Sequence, residues 1–311
     1  ELGERPLRWN WESPVLVSKH NQDIVYFGSN KFHRSLNQAT DFITLSGDLT
    51  KGGKPGDIAY GTLTTIDESP LKFGLIYAGS DDGLIHISKD GGYTWTRISD
   101  KLPQDLWVSQ VSASAFNEGT VYASLNGYRN DDFTAYVYKS TNYGQTWTRI
   151  GTDLPLEPVN VIKEDPKNKN IVYVGTDHGL YVSLDQGASF MRFGGGLPAV
   201  AVHDVAVQSR DQELVVGTHG RSLWITSVKE LQQFTPELIQ KDLHAFEIPS
   251  ISYSNFWGRK MGDEYFEPKL SVPFFAAAAG TVKMAIKTEG GLLLKEWTAN
   301  ANRGLNYSEI G

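Results

Sequence analysis

Chemistry in this sequence would start from a recurring eight-residue phrase that puts a hydroxyl, a carboxylate and a glycine within one turn. Ser88-Lys-Asp90-Gly-Gly92-Tyr-Thr94-Trp95 returns as Ser140-Thr-Asn142-Tyr-Gly144-Gln-Thr146-Trp147 and as Ser183-Leu-Asp185-Gln-Gly187-Ala-Ser189-Phe190. A worn copy reads Ser35-Leu-Asn37-Gln-Ala39-Thr-Asp41-Phe42. A single active site does not need its acid in evenly spaced copies, one of them already Asn. The phrase is therefore read as a hairpin lock. The Asp or Asn side chain accepts backbone N–H bonds across a tight turn. Glycine supplies the positive φ, and Trp95, Trp147 or Phe190 packs against the neighbouring repeat.

Other residues are weighed for catalysis and for metal. Glycoside hydrolysis needs two carboxylates across a cleft. Glu12, Asp67, Glu68, Asp81, Asp82, Asp177 and Asp204 are available, but spacing alone pairs none of them, so catalytic residues stay unassigned. The seven histidines include no His-Glu-x-x-His spacing. Asp177-His178, His203-Asp204 and His219 come from neighbouring repeats and could converge on one face. Local bonding of each histidine at its own turn is the expectation, with no metal and no cofactor.

The phrases sit in a larger repeat. Their serines fall at 35, 88, 140 and 183, and most copies follow a second phrase by about ten residues. That second phrase reads Ile-Val-Tyr-Phe-Gly28, Leu-Ile-Tyr-Ala-Gly79, Ile-Val-Tyr-Val-Gly175 and Leu-Val-Val-Gly217. A period of about 40–50 residues built from short alternating strands indicates β-propeller blades. Four units (about 9–50, 60–103, 107–154, 158–197) and a partial fifth (200–226) fill residues 1–228. In the third unit the strands are read at 107–115, 120–124, 135–140 and 146–150. Residues 229–268 read as short helices and a linker, with a capping box at Ser227-Val-Lys-Glu230 and an N-cap at Thr235-Pro236. Residues 269–311 read as strands 271–278, 281–287 and 292–298, with a hairpin turn at Glu289-Gly-Gly291.

Composition narrows the class. The 311 residues carry 29 Lys plus Arg against 36 Asp plus Glu, a net charge of −7, and no basic block of the kind nucleic acid requires. The absence of cysteine excludes disulfides and thiolate zinc sites. No apolar run approaches the roughly 20 residues that span a bilayer.

The eight-residue phrases are similar to the Asp-box, or BNR repeat, of sialidases, xyloglucanases and sortilin-type receptors. With Pro6-Leu-Arg8-Trp-Asn10-Trp, Ile66-Asp-Glu68-Ser-Pro70, Val202-His-Asp204-Val-Ala-Val207 and Gly217-Thr-His-Gly-Arg221-Ser-Leu-Trp224, the sequence resembles bacterial sortilin-type BNR-repeat proteins, often labelled glycosyl-hydrolase-like. The likeness covers about residues 6–240. It implies an all-β fold: the C-terminal blades of a larger propeller ring, followed by the start of an Ig-like β module. It further implies that missing N-terminal blades or another chain complete the ring. The sialidase signature Arg-Ile-Pro is absent.

Function is expected on the face opposite the octets, at the turns between second and third strands. The candidate binding residues there are Asp81, Asp82, Tyr128, Arg129, Phe133, Asp177, His178, His203, His219 and Arg221. The starts of the inner strands (Trp11, Ser109, Asn160, His203) join them around the channel. The long insert 127–133 carries aromatic and charged groups of the kind that concentrate in binding loops. The leading expectation is a secreted or cell-surface module that binds protein or peptide. A glycoside hydrolase with carboxylates partly outside this segment and a purely structural scaffold are the alternatives.

Overall fold

A computed structural model describes residues 6–56, 59–194, 196–248, 250, 254–261, 264–265 and 270–310. The chain divides into two compact units, 1–227 and 228–311. Part of the stretch read from sequence as short helices and a linker, 229–268, lies outside the described residues.

The first unit is five antiparallel sheets in chain order. Sheet one holds β1 (Val15–Val17), β2 (Val25–Gly28), β3 (Phe32–Ser35) and β4 (Ile43–Thr44). Sheet two holds β5 (Leu63–Glu68), β6 (Ile76–Ser80), β7 (Ile85–Ser88) and β8 (Thr96–Arg97). Sheet three holds β9 (Trp107–Ala113), β10 (Val121–Gly127), β11 (Asp132–Ser140) and β12 (Thr148–Ile150). Sheet four holds β13 (Val159–Glu164), β14 (Val172–Thr176), β15 (Gly179–Ser183) and β16 (Met191–Arg192). Sheet five has three strands, β17 (Val202–Gln208), β18 (Glu213–Thr218) and β19 (Leu223–Ser227).

The core lies between sheets. Tyr26 and Phe32 pack with Leu63 and Ile66 of the next sheet. Tyr77 and Ile85 pack with Val108 and Val111, and Tyr122 and Val137 with Val159 and Ile162. The repeated phrase Tyr-x-Gly makes this approach possible. A Cβ on Gly79 would lie 2.5 Å from Val108 Cγ1, and one on Gly175 would lie 2.7 Å from Val202 Cγ1.

Each octet closes the hairpin between third and fourth strands. Ser88 donates to Asp90 Oδ1 (2.8 Å) and accepts from the Gly92 N–H (2.8 Å), while Asp90 accepts from the Thr94 N–H (2.9 Å) and hydroxyl (2.6 Å). Ser183, Asp185, Gly187 and Ser189 repeat that set. In the third sheet Ser140 and Gly144 N–H are joined in the same way, and Asn142 both accepts from Thr146 N–H and donates to its hydroxyl. The glycines have φ of 99°, 80° and 92° at 92, 144 and 187. Their faces press on the preceding sheet, where an added Cβ would meet Phe32, Ile98 or Ile150 at 2.4–2.6 Å. Trp147 Nε1 donates to Ile98 O of the preceding sheet (2.8 Å), the Trp95 ring lies 5.0 Å from Phe32, and Phe190 packs on the core between sheets three and four.

The second unit starts with a 3-10 turn at Leu231–Gln233. Its N-cap is Glu230, with no side-chain cap, and not Ser227 as the box read at Ser227–Glu230 would place it. The reason is that Ser227 is the last residue of β19, paired with Glu213. Thr235 does cap α1 (Pro236–Ile239), accepting from the Leu238 N–H at 3.2 Å. β20 (Leu243–Ala245), β23 (Leu270–Ala276) and β26 (Gly304–Ile310) form one sheet. β24 (Gly280–Lys287) and β25 (Leu293–Ala301) form a hairpin, and β21 (Lys260–Met261) and β22 (Glu264–Tyr265) a short ribbon. Phe274, Ala276 and Ala301 form its small core with Val282 and Met284.

Candidate functional site

The inner strands of sheets two to five share one irregularity. The pairing of β5 with β6, β9 with β10, β13 with β14 and β17 with β18 slips by one residue, at Thr64, Ser109, Asn160 and His203 respectively. A bulge leaves its extra residue unpaired and re-aims its side chain. All four bulged residues line one cavity of about 1060 Å³ in the first unit.

The four bulges are put to different uses. Thr64 Oγ1 donates to Val108 O at 2.6 Å, and Ser109 Oγ donates to Val159 O at 2.7 Å, so each ties its sheet to the next. Asn160 instead joins a polar string: Asn126 Nδ2 donates to Asn160 Oδ1, and Asn160 Nδ2 to Asp177 Oδ1, both at 2.9 Å. The His203 ring stacks on His219 with centroids 5.3 Å apart. Among the four bulged residues, it is those of sheets four and five that build polar and ring contacts at the cavity.

Seven of the ten candidate binding residues line this cavity: Tyr128, Arg129, Phe133, Asp177, His178, His203 and His219. Insert 127–133 is a hairpin tip with a 3-10 turn at Tyr128–Asn130. Asp132 accepts from the Thr134 N–H and the Tyr136 hydroxyl. The backbone bond from Thr134 draws its carboxyl below the ordinary range. Arg129 lies 4.2 Å over the Trp107 ring, and Tyr128 and Phe133 meet edge to face at 6.2 Å.

Asp81, Asp82 and Arg221 do not line the cavity. Asp81 is buried and accepts from Gly61 N–H, Thr62 N–H and Thr62 Oγ1. Burial pushes its carboxyl above the ordinary range despite these bonds. Asp82 accepts from Lys51 N–H and Ser80 Oγ. Both acids brace the chain between sheets one and two. Arg221 is exposed, and its carbonyl accepts from the Trp224 indole. Among the carboxylates weighed for catalysis, Glu12, Asp177 and Asp204 line the cavity. Asp67 and Glu68 lie between sheets, where Asp67 accepts from Lys19 Nζ and Ala113 N–H.

Glu157 is a lining residue that the sequence reading did not single out. Its Oε2 accepts from Thr176 Oγ1 at 2.5 Å, and its Oε1 lies 3.7 Å from His178 Nδ1. The available signal was the recurring Leu-Pro pair at 102, 154 and 197 that precedes the inner strands of sheets three, four and five. After the pairs at 154 and 197, Leu156, Glu157, Pro158 and Ala201 reach the lining. Trp11 and Leu156 stand at the lining with exposures of 81% and 79%. Among the described residues no three of His, Asp and Glu converge as metal ligands.

The solved structures most informative for this arrangement are glycoside hydrolases. An ancestral GH74 enzyme aligns over 95% of this chain and 39% of its own, with a TM-score of 0.55 and 15% identity. The fold is that of a β-propeller. The GH74 enzyme of Niastella koreensis gives a TM-score of 0.56 over 85% of this chain and 42% of its own. The GH74 xyloglucanase of Xanthomonas campestris gives 0.54 over 68% and 36%; both are 15% identical. In sequence, a xyloglucanase of Hypocrea jecorina (strain QM6a) is 27% identical over 140 residues, which is 40% of this chain. The chain spans 16% of that relative's length. No family model matches. The likeness supports a propeller, and is not specific to the sortilin-type branch of Asp-box proteins. No helix among the described residues is long and apolar enough to cross a membrane.

Proposed function

We propose that the cavity is a glycan-binding cleft of a secreted or cell-surface propeller of the glycoside hydrolase type. The observation that carries this reading is the lining itself. Exposed Trp11 and Tyr128 offer flat apolar faces, and Glu12, Glu157, Asp177 and Asp204 place four carboxylates around one sugar-sized space. Aromatic faces hold pyranose rings, and paired carboxylates serve as acid with base or nucleophile. The sequence match to a xyloglucanase favours a β-glucan substrate over other polymers.

The held carboxylates divide the labour. Asp177 has one oxygen fixed by Asn160 and Glu157 has one fixed by Thr176, so each keeps a second oxygen for a substrate hydroxyl or a water. The test is incubation of the chain with xyloglucan and its oligosaccharides, reading new reducing ends by mass spectrometry and binding by calorimetry. Hydrolysis that is lost in Asp177→Asn or Glu157→Gln, with binding retained, supports the enzyme. Binding without hydrolysis supports a glycan-binding wall whose reaction partner is elsewhere. Absence of any binding overturns the reading.

A second reading is protein or peptide recognition at the same face. It is favoured by the Trp107–Arg129 stack beside Tyr128 and Phe133, since Trp, Tyr and Arg dominate binding hot spots.

A further inference from the structure

The cavity of the first unit holds one fixed cation. Arg129 is the only lysine or arginine among its described lining residues, against the four carboxylates of Glu12, Glu157, Asp177 and Asp204. Its guanidinium carbon lies 4.2 Å over the Trp107 ring. The indole covers one flat face of the guanidinium and leaves the N–H edge for a partner.

The protein does not use that edge. Among the described residues Arg129 makes no hydrogen bond and no ion pair, although three aspartates lie nearby. Asp105 takes Lys51 Nζ at 3.0 Å, and its carbonyl accepts from Asn130 Nδ2 at 3.1 Å. Asp132 takes the Thr134 N–H and the Tyr136 hydroxyl. Asp131 closes the 3-10 turn with a φ of 56°, its N–H on Tyr128 O. Arg221 apart, the other described arginines of the first unit are engaged. Arg8, Arg97 and Arg210 meet carboxylates, and Arg34, Arg149 and Arg192 donate to carbonyls.

Nor does Arg129 neutralise the acids of the cavity. Glu12 precedes β1, Glu157 precedes β13, Asp177 follows β14 and Asp204 lies on β17, so the carboxylates come from sheets one, four and five. Sheet three adds Arg129, aromatic rings and neutral polar groups. Tyr128 and Phe133 flank Arg129 in the insert, and Tyr128 is 61% exposed. The Tyr128 N–H bonds Asn126 Oδ1 at 2.9 Å, which starts the amide string that runs through Asn160 to Asp177. Neutral amides beside aromatic faces suit the hydroxyls and faces of sugar rings. A planar guanidinium at the end of that line suits a planar carboxylate, which it can hold by two parallel bonds.

We propose that Arg129 is a subsite for a hexuronate: the cleft takes a glycan in which one sugar bears a carboxylate, and that carboxylate docks on the guanidinium edge beside Tyr128. The assignment rests on the glycan reading of the cavity and adds a charged unit to it.

The test uses the whole 311-residue chain and two probes of equal length, cellohexaose and cellohexaose oxidised to the carboxylate at one C6 per chain. Calorimetry should give the oxidised probe roughly tenfold tighter binding at low salt. That advantage should shrink several-fold between about 50 and 500 mM salt. Arg129→Gln should bring the ratio of the two affinities to about two or less, and Arg129→Lys should keep only part of it. A hexapeptide of alternating glutamate and serine should bind roughly tenfold more weakly than the oxidised probe or not at all. Equal affinity for the two oligosaccharides overturns the subsite and leaves the glycan reading standing, whereas binding of neither overturns both. An unchanged ratio in Arg129→Gln overturns the assignment to this residue. Tighter binding of the peptide than of the oxidised probe overturns the sugar as the source of the carboxylate.

Discussion

Tyr26 of the first sheet donates its phenolic hydrogen to Glu68 of the second at 2.9 Å, and this pair fastens two blades together. Glu68 also accepts from Ser18 Oγ, Lys19 N–H and Gly74 N–H. The arrangement returns two sheets on, where Tyr122 donates to Glu164 at 3.2 Å and Ser114 Oγ and Ala115 N–H complete it. Between them the pattern fails. Ala113 pairs with Val121 as Glu68 pairs with Ile76, so Ala113 holds the glutamate's place. Tyr77 Oη, buried, has no hydrogen-bond partner among the described residues.

Opposite effects should follow from one substitution at two equivalent tyrosines. Tyr77→Phe removes a buried orphan hydroxyl and should leave stability unchanged or raise it by up to about 1 kcal/mol. Tyr26→Phe takes a donor from a buried carboxylate and should cost about 1–3 kcal/mol. Urea unfolding of the two variants checks the sign of each. A loss at Tyr77 equal to that at Tyr26 would show that its hydroxyl is satisfied in solution.

Glycine at the octet turns is required twice, by its positive φ and by the sheet pressed against it. Gly144→Ala should cost about 2–4 kcal/mol, since backbone strain adds to overpacking against Ile98. The worn octet behaves in the reverse way. Ala39 already has φ of 64°, so Ala39→Gly should stabilise by about 0.5–1 kcal/mol. Thermal melts of both variants separate the two cases.

Acid should unlock the octet turn of sheet two late. The Thr94 hydroxyl, with backbone N–H bonds, holds the Asp90 carboxyl at about 2, against an ordinary value of 3.8. A depressed carboxyl contributes stability that is fully present above its unfolded value and is lost as pH falls through its folded one. The window therefore runs from about 3.8 down to about 2. Thr94→Val should move the Asp90 titration up toward 3.8, as read by carboxyl-carbon NMR, and shift the acid-unfolding midpoint upward with it. An unmoved titration would assign the depression to the backbone bonds alone.

At the cavity, Trp11→Ala and Tyr128→Ala should each weaken oligosaccharide binding at least about tenfold, on a stacking worth roughly 1–3 kcal/mol per ring. Their melting temperatures should stay within a degree or two of the parent, because both side chains are largely exposed. Calorimetry together with melts reads the two effects separately.

Much of this architecture was legible because it repeats. The octets marked hairpins, the Tyr-x-Gly phrases marked buried second strands, and the distance between them set the blade length. Ser109, Asn160 and His203, read from sequence at the starts of inner strands, all line the cavity. What could not be read was decided by distant partners. Asp81 resembles an exposed turn acid until Gly61 and Thr62, some twenty residues earlier, bring it their N–H groups. Ser227–Glu230 matches a helix start, but β18 claims the serine first. Thr64 joins the lining through a bulge, and a one-residue slip leaves no mark in composition.

The uneven fastening between blades has a mechanical consequence. Blades stacked in sequence contribute to stability through each neighbouring interface, so such an array opens where its coupling is weakest. The junction of sheets two and three lacks the tyrosine–carboxylate clasp found on either side of it and is fastened instead by Thr64 on Val108 O, by the Asp67 carboxylate on the Ala113 N–H and by the Trp147 indole on Ile98 O. Removing either clasp should therefore loosen its own junction and leave the seam between Tyr77 and Ala113, held by other bonds, as it was.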